Sequence, residues 1–168
     1  KFGRFDMSPD GERLYVIAEG DVYHLEYPSV IGYNLTNENT LFRFWTMTLT
    51  GDVKLSPDGN EIYFVEPGLD GGWEGGPKPG TVYIIDADDG SRLYGISLYG
   101  YLGHSRYPLM PHSLAFTPTG NRVYLGTGEI HWGDGSLLSI STEERQITKL
   151  IWPDLQHYTW QIVLGPKH

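Results

Sequence analysis

The sequence predicts an all-β fold of repeated antiparallel units, and two observations carry this prediction. One short segment occurs three times, as residues 7–17 (MSPDGERLYVI), 55–65 (LSPDGNEIYFV) and 116–126 (FTPTGNRVYLG). In addition, short apolar runs alternate with turn residues along the chain, without helical periodicity or helix N-cap signals. We therefore expect strands joined by tight turns and no helix.

The repeated segment has the residue order of a tight reversal. In each copy an apolar residue is followed by Ser or Thr, then Pro, a small polar residue and Gly. A type I turn favours this order, because the first residue supplies a side-chain acceptor, Pro fixes φ and Gly follows at the fourth position. A tyrosine stands four residues beyond each of these glycines, as Tyr15, Tyr63 and Tyr124.

The spacing of the turns predicts a β-propeller. The turn recurs after 48 residues, from Ser8 to Ser56, and after 61 residues, from Ser56 to Thr117. Allowing for insertions, this corresponds to the period of about 45 residues that is typical of four-stranded propeller blades. A ring needs about four to eight blades, whereas 168 residues supply about three blades and one extra inner strand. We expect the chain to be part of a larger propeller of about seven blades.

Blade one is predicted over residues 1–49. Its inner strand follows from the alternation of Phe5 and Met7 with charged residues, and its second strand is apolar on both faces, as suits a strand between neighbouring blades. The outer strand carries Phe44 and Trp45, and we expect it to be covered because a bare aromatic edge promotes aggregation. The four predicted strands are 3–7, 13–18, 31–35 and 41–47.

Blades two and three repeat this plan over residues 50–98 and 99–152, and residues 153–168 begin a fourth blade. The predicted strands are 52–55, 61–65, 81–86 and 92–98 in blade two, 112–116, 122–125, 136–141 and 146–151 in blade three, and 158–164 as the fourth inner strand. The connection 66–80 (EPGLDGGWEGGPKPG) is too rich in Gly and Pro for regular structure.

The SPDG-x-x-aliphatic-Tyr-aliphatic pattern resembles the YVTN-type β-propeller repeat, which is found in microbial surface proteins, in lactonases and in the propeller subunits of amine dehydrogenases. The resemblance covers nearly all of the chain, and the absence of a Trp-Asp pair disfavours the WD class. It implies a propeller fold. It implies no single activity, because this scaffold carries unrelated functions.

Composition restricts the partners. The net charge of -9 and the pI near 5.0 disfavour nucleic acid and anionic membranes as partners, because the surface repels polyanions. No apolar run reaches the roughly 18 residues of a membrane-spanning helix. The lack of cysteine is compatible with an exported or a cytosolic protein. The resemblance favours export to the periplasm, cell surface or medium, with no signal peptide within this chain.

The long connections share one predicted end of the blades. Strands alternate in direction, so the connections after the second and fourth strands of each blade emerge at the same end. The long ones among these connections are 19–30, 66–80, 99–111, 126–135 and 152–156. Five of the six histidines lie in them or at the start of the next strand, namely His24, His104, His112, His131 and His157. Function in repeat folds concentrates where insertions concentrate.

Two histidines occupy matching positions in this interpretation. The segments MPHSLAF and LQHYTWQ place His112 and His157 at the tops of adjacent inner strands, beside the central channel. Imidazoles in this position can bind Cu, Zn or Fe, or act as general bases near neutral pH. The candidate metal ligands are His104, His112, His131, His157 and Glu129. The alternative is that these histidines are solvated or brace their loops.

The candidate ligand-binding residues are Trp73, Glu74 and Trp132, on Gly-rich connections at the same end. The indoles of Trp73 and Trp132 could stack on a sugar or an aromatic ligand, although a Trp in a long loop more often packs the loop onto the scaffold. No catalytic residue is assigned, since the sequence lacks Cys and a Gly-x-Ser-x-Gly element.

Three hypotheses about function remain at this point. The chain is a propeller portion that presents a loop-rich face to a ligand or partner protein, a metal-dependent propeller enzyme of the oxidoreductase or lactonase type, or a structural surface-layer repeat. In each of them its partners are the remaining blades or another chain.

Overall fold

The computed structural model describes residues 2–20, 27–48, 51–68, 80–98, 110–128 and 135–155. Within these ranges the chain forms twelve β-strands and no helix. The strands are β1 (Phe2–Met7), β2 (Arg13–Ala18), β3 (Ser29–Asn34), β4 (Asn39–Trp45), β5 (Val53–Leu55), β6 (Glu61–Glu66), β7 (Thr81–Asp86), β8 (Arg92–Ser97), β9 (Met110–Phe116), β10 (Arg122–Gly128), β11 (Gly135–Ser141) and β12 (Gln146–Leu155). The all-β prediction is confirmed.

The twelve strands form three four-stranded antiparallel sheets. The strand orders are β1-β2-β3-β4, β5-β6-β7-β8 and β9-β10-β11-β12, so each sheet is a meander in chain order. These sheets match the three predicted blades and confirm a partial β-propeller. Some boundaries differ: β12 pairs with β11 as far as Leu155, so residues 153–155 belong to the third sheet and not to a fourth blade. The predicted inner strand at 158–164 lies outside the described residues.

The repeated segments form the predicted turns. The amide of the turn glycine donates to the carbonyl of the Ser or Thr three residues earlier, at 2.9 Å for Gly11, 2.8 Å for Gly59 and 2.9 Å for Gly120. The three glycines have φ of +75°, +80° and +70°, a region that L side chains rarely adopt. Each turn is thus a tight reversal that leads from an inner strand to the second strand of its sheet.

The second sheet is buried on both faces, because it packs between the other two. Its contact with the first sheet is formed by Tyr15, Ile17, Val30 and Phe42 on one side and by Val53, Leu55, Ile62, Phe64, Ile85 and Ala87 on the other. Its contact with the third sheet is formed by Tyr63, Val65, Val82, Ile84, Ile96 and Leu98 against Leu114, Val123, Leu125, Leu138, Ile140 and Ile147. This double burial explains the unbroken apolar run IYFV in β6.

The inner strands of the first and second sheets run in the same direction. Arg4 Nη1 lies 3.3 Å from Asp52 Oδ2. Two residues further along each chain segment, Lys54 Nζ lies 4.0 Å from Asp6 Oδ1. Because both contacts advance together, β1 and β5 lie side by side and parallel, as the inner strands of adjacent propeller blades do.

The second and third inner strands share this arrangement. The Leu114 amide donates to Asp52 Oδ2 at 2.8 Å, and a Cβ at Gly120 would lie 3.4 Å from Pro57 Cδ. These contacts again advance together, so β9 lies beside β5 and parallel to it.

The aromatic outer strand β4 is covered differently from the expectation. Phe42 and Phe44 turn into the interface with the second sheet, where Phe44 meets the ring of Phe64 at a centroid distance of 5.3 Å. Trp45 points the other way and is 53% exposed, with the Arg43 guanidinium 5.0 Å above its ring. The strand therefore buries one aromatic face and leaves the other accessible.

Candidate functional site

Strand pairing places the ends of the long connections at one end of the three sheets. Within each sheet all neighbours are antiparallel, and the three inner strands are parallel to one another. The connections that follow β2, β4, β6, β8 and β10 therefore start and finish at the same end, here called the loop-bearing end. Their residues are 19–28, 46–52, 67–80, 98–109 and 129–134. The opposite end carries short turns such as 8–11 and 56–59.

At the loop-bearing end the first two sheets are tied together by a carboxylate. Glu66 Oε1, at the end of β6, accepts hydrogen bonds from the amides of Met47 at 2.5 Å and Thr48 at 3.2 Å. The Thr48 hydroxyl in turn donates to the carbonyl of Pro67 at 3.3 Å. Burial and the nearby Glu66 carboxylate raise the pKa of Tyr83, which keeps its phenol protonated. These bonds give the rim between the two sheets a fixed geometry.

A β-bulge lies at His112, on the loop-bearing side of β9. Ser113 pairs with Gly126 and Pro111 pairs with Thr127, so the two neighbours of His112 are opposite consecutive residues of β10 and His112 has no partner across the ladder. Bulges bend a strand and change the direction of side chains, and they occur often beside functional sites. The side chain of His112 lies outside the described residues.

The other predicted site residues also lie outside the described residues. They are the candidate metal ligands His104, Glu129, His131 and His157, and the candidate ligand-binding residues Trp73, Glu74 and Trp132. Among the residues that the structure describes, no three His, Cys, Asp or Glu side chains come together as a metal site. The metal and ligand assignments therefore stay predictions.

Sequence reasoning missed a buried carboxylate at the inner strands. Asp52 is 4% exposed, and its Oδ2 accepts the Leu114 amide and lies 3.3 Å from Arg4, while its Oδ1 accepts the Val53 amide at 3.0 Å. A second carboxylate forms the equivalent contact between the first and second sheets, where Asp6 Oδ2 accepts a hydrogen bond from the Leu55 amide at 2.9 Å. The available signal was an Asp two or four residues before the Ser-Pro turn in two of the repeats.

The opposite end carries a polar contact between the second and third sheets. The Tyr63 hydroxyl donates to Glu61 Oε2 at 3.0 Å, and Arg145 Nη2 donates to Glu61 Oε1 at 2.6 Å. Burial first, and then the charge of Glu61, raise the pKa of Tyr63 well above its ordinary value. Tyr63 is therefore a neutral hydrogen-bond donor, and the cluster holds two sheets together.

Three neighbouring meanders with parallel inner strands define a partial β-propeller, and solved structures support this fold. The chain is similar to hydrazine synthase from Kuenenia stuttgartiensis, with 17% identity, a TM-score of 0.65 and coverage of 89% of this chain and 36% of that one. It is also similar to the β-propeller domain of Cps50 (Swd1) from Myceliophteria thermophila, with 15% identity, a TM-score of 0.61 and coverage of 87% and 40%. A eukaryotic initiation factor aligns with 9% identity, a TM-score of 0.59 and coverage of 92% and 33%.

At these identities the comparisons show the fold alone, and the chain spans about a third to two fifths of the length of each neighbour. No protein-family model matches the sequence, and neither does a curated protein. No helix long and apolar enough to span a membrane occurs in the described ranges.

Proposed function

We propose that this chain contributes three blades to a larger β-propeller and that the loop-bearing end of these blades binds a ligand or a partner protein. The observation that carries the proposal is the asymmetry of the connections: the long ones start and finish at one end, whereas the other end has tight turns. Repeat scaffolds bind through the side that holds their insertions. The net charge of -9 favours a neutral or cationic ligand over nucleic acid.

A metal-dependent propeller enzyme of the oxidoreductase or lactonase type is the second candidate, and the bulge at His112 favours it. A bulge near the start of an inner strand changes the direction of side chains, and here it would direct the imidazole of His112 toward the channel mouth. His104, His131 and His157 would complete the site with Cu, Zn or Fe, and Glu129 would orient one ring. Export and membership of the YVTN-type family are parts of this proposal that rest on the sequence resemblance.

Elemental analysis of the purified chain separates the candidates. If the second holds, a stoichiometric transition metal is present, and the double substitution His112→Ala and His157→Ala removes it while the far-UV circular dichroism stays unchanged. The matched control is His24→Ala, because His24 belongs to the connection 19–28 but not to the proposed ligand set. Nitrogen-to-zinc distances of about 2.0 to 2.1 Å are expected.

If the purified chain contains no stoichiometric metal, the proposal of a metal-dependent enzyme is wrong and the ligand-binding proposal stands. Trp73 and Trp132 then supply the readout, because ligand binding at the loop-bearing end should change tryptophan fluorescence in the wild type and not in the Trp73→Phe, Trp132→Phe variant. If a panel of sugars and aromatic compounds leaves the fluorescence unchanged, the purely structural surface-layer repeat is favoured instead.

A further inference from the structure

On each of the first two inner strands, a carboxylate accepts a hydrogen bond from a backbone amide of the next inner strand. Asp6 accepts the Leu55 amide at 2.9 Å, and Asp52 accepts the Leu114 amide at 2.8 Å. The donors are amides on the open edge of an inner strand, which has a ladder partner on one side only. The carboxylates therefore satisfy amides that the sheets themselves leave unpaired.

The two bonds follow one positional rule. We number the positions backward from the Ser or Thr of each turn, so that Asp6 is at -2, Leu55 at -1, Asp52 at -4 and Leu114 at -3. In both cases the acceptor at one position meets the amide of the next position in the following sheet. Positions -2 and -4 lie on the same side of a strand, here called the forward face because it is turned to the following sheet.

On the third inner strand, position -4 of the forward face is Ser113. Its neighbour Leu114 packs backward onto the second sheet, so alternation places Ser113 on the forward face. Ser113 is 2% exposed, and in the part of the chain that the structure describes its hydroxyl has no hydrogen-bond partner. A buried polar group without a hydrogen-bond partner is destabilising, which is the reason to expect a partner for Ser113.

The repeated tyrosine gives a second, independent indication that the forward face of the third sheet has a further partner. Tyr15 and Tyr63 are fully buried against the following sheet: Tyr15 donates to the Ala87 carbonyl at 3.3 Å, and the Tyr63 ring meets Phe116 edge-on at 4.9 Å. The third copy, Tyr124, is only partly buried. Val123 and Leu125 pack on the second sheet, so Tyr124 lies on the forward face, where a following inner strand would cover it.

The sequence after β12 contains the residue pattern of an inner strand. Gly165-Pro166 lies 48 residues beyond Thr117-Pro118, the same interval that separates Ser8 from Ser56. Counting back from Gly165 places Ile162 at -3 and Leu164 at -1. These two positions are apolar in all three described sheets, as Phe5 and Met7, Val53 and Leu55, and Leu114 and Phe116.

We propose that residues 162–164 form the inner strand of a fourth blade on the forward face of β9, with the Ile162 amide donating to the Ser113 hydroxyl and Leu164 covering Tyr124. The chain length agrees, because residues 156–161 would connect Leu155 to this strand, and the comparable connection 46–52 is one residue longer.

This register differs from the strand predicted at 158–164, because it aligns Trp160, and not His157, with His112. His157 then falls in the connection that enters the strand, still at the loop-bearing end. The inference rests on the propeller fold and is independent of any metal, so a chain without metal leaves it intact.

A pair of substitutions in the full chain tests the bond. Ser113→Ala removes the proposed acceptor, and it should lower the midpoint of urea unfolding because the Ile162 amide is left without a partner. In an Ile162→Pro background the donor is missing, so the same substitution should no longer lower the midpoint. The matched control is Val163→Pro, since the amide at position -2 points away from the third sheet and its loss should leave the effect of Ser113→Ala unchanged.

Amide exchange of the unsubstituted chain keeps the proposal testable if a variant fails to fold. We expect the Ile162 amide to exchange at least about 100-fold more slowly than in an unstructured peptide. Exchange of Ile162 at the rate of an unstructured peptide would overturn the proposal, and so would a Ser113→Ala effect that is the same with and without Ile162→Pro.

Discussion

The carboxylate of Asp52 accepts a hydrogen bond of 2.8 Å from the backbone amide of Leu114, although the two residues belong to different sheets. The same oxygen lies 3.3 Å from Arg4 Nη1 of the first sheet. One buried side chain therefore contacts all three sheets at their inner strands. Its desolvation is offset by two backbone donors and a cation, which is the condition for keeping a buried charge.

Replacing Asp52 by Ala should destabilise the chain by about 1 to 3 kcal/mol, because the Leu114 amide loses its acceptor in a buried position. Urea denaturation followed by circular dichroism measures the loss. The control is Asp88→Ala: Asp88 also pairs across sheets, with Arg13, but its side chain is 75% exposed, and exposed pairs contribute about 1 kcal/mol or less. Equal losses in the two variants would contradict the role assigned to Asp52.

The sequence predicted the sheets and the turns because their signals are local. A Ser-Pro-polar-Gly order fixes a turn within four residues, and its recurrence fixed the number of sheets without any knowledge of distances. The outer strand β4 was less predictable. Its aromatic residues face opposite sides, and which side is buried depends on the neighbouring sheet, as the burial of Phe42 and the exposure of Trp45 show.

The candidate site was predictable only as a location. Strand-pairing rules predicted the end at which the long connections meet. The bulge at His112 depends on the register between β9 and β10, and no residue pattern indicates that register. The bond from Leu114 to Asp52 joins residues 62 positions apart, and an Asp before a strand has many local explanations. Such contacts are set by how sheets pack, and a single sequence carries no distance information about packing.

Replacing Gly59 by Val should cost on the order of 1 kcal/mol or more, because Gly59 has φ of +80° and a β-branched residue is strained there. No atom lies within 4 Å of the Cβ position, so the cost is backbone strain and not a clash. Gly59→Asn is the matched control, since Asn tolerates this region and should cost less. Thermal unfolding measures both variants, and equal melting temperatures for Val, Asn and wild type would remove this interpretation of the turn.

The turn at Ser56 should contribute an acid-sensitive part of the stability. The Ser56 hydroxyl donates to Asp58 Oδ1 at 2.5 Å and, together with the Asn60 amide, holds the pKa of Asp58 below its ordinary value of 3.8. A carboxyl with a lowered pKa in the folded state stabilises the fold above its unfolded pKa, and this stabilisation is lost as pH falls through the lower folded pKa. We expect the loss below about pH 4.

NMR titration of the side-chain carboxyls measures this directly. Ser56→Ala should raise the pKa of Asp58 toward its ordinary value and leave that of Asp10, in the equivalent turn of the first sheet, unchanged. The third turn is an internal comparison, because Thr119 stands in place of the aspartate and cannot titrate. An Asp58 pKa that does not move in Ser56→Ala would refute the proposed cause.

Phe5 and Met7 form an apolar surface on the first inner strand that the described residues leave exposed. They occupy the same repeat positions as Val53 and Leu55, which are 0% and 7% exposed because they pack on the preceding sheet. Phe5 is 63% exposed and Met7 50%. The difference in exposure follows from the fold, because these positions face the preceding sheet in each case. For the first sheet, a further blade would be that partner.

The purified chain should therefore self-associate, because exposed apolar residues on an open sheet favour contact with another copy when the natural blade is not supplied. Light scattering should show species above the monomer mass of 18.9 kDa. The double substitution Phe5→Ser and Met7→Ser should shift the population toward monomer. Tyr27→Ser, which removes a 67% exposed aromatic outside the inner strand, should not. A monodisperse 18.9 kDa species from the unsubstituted chain would show that this face needs no partner.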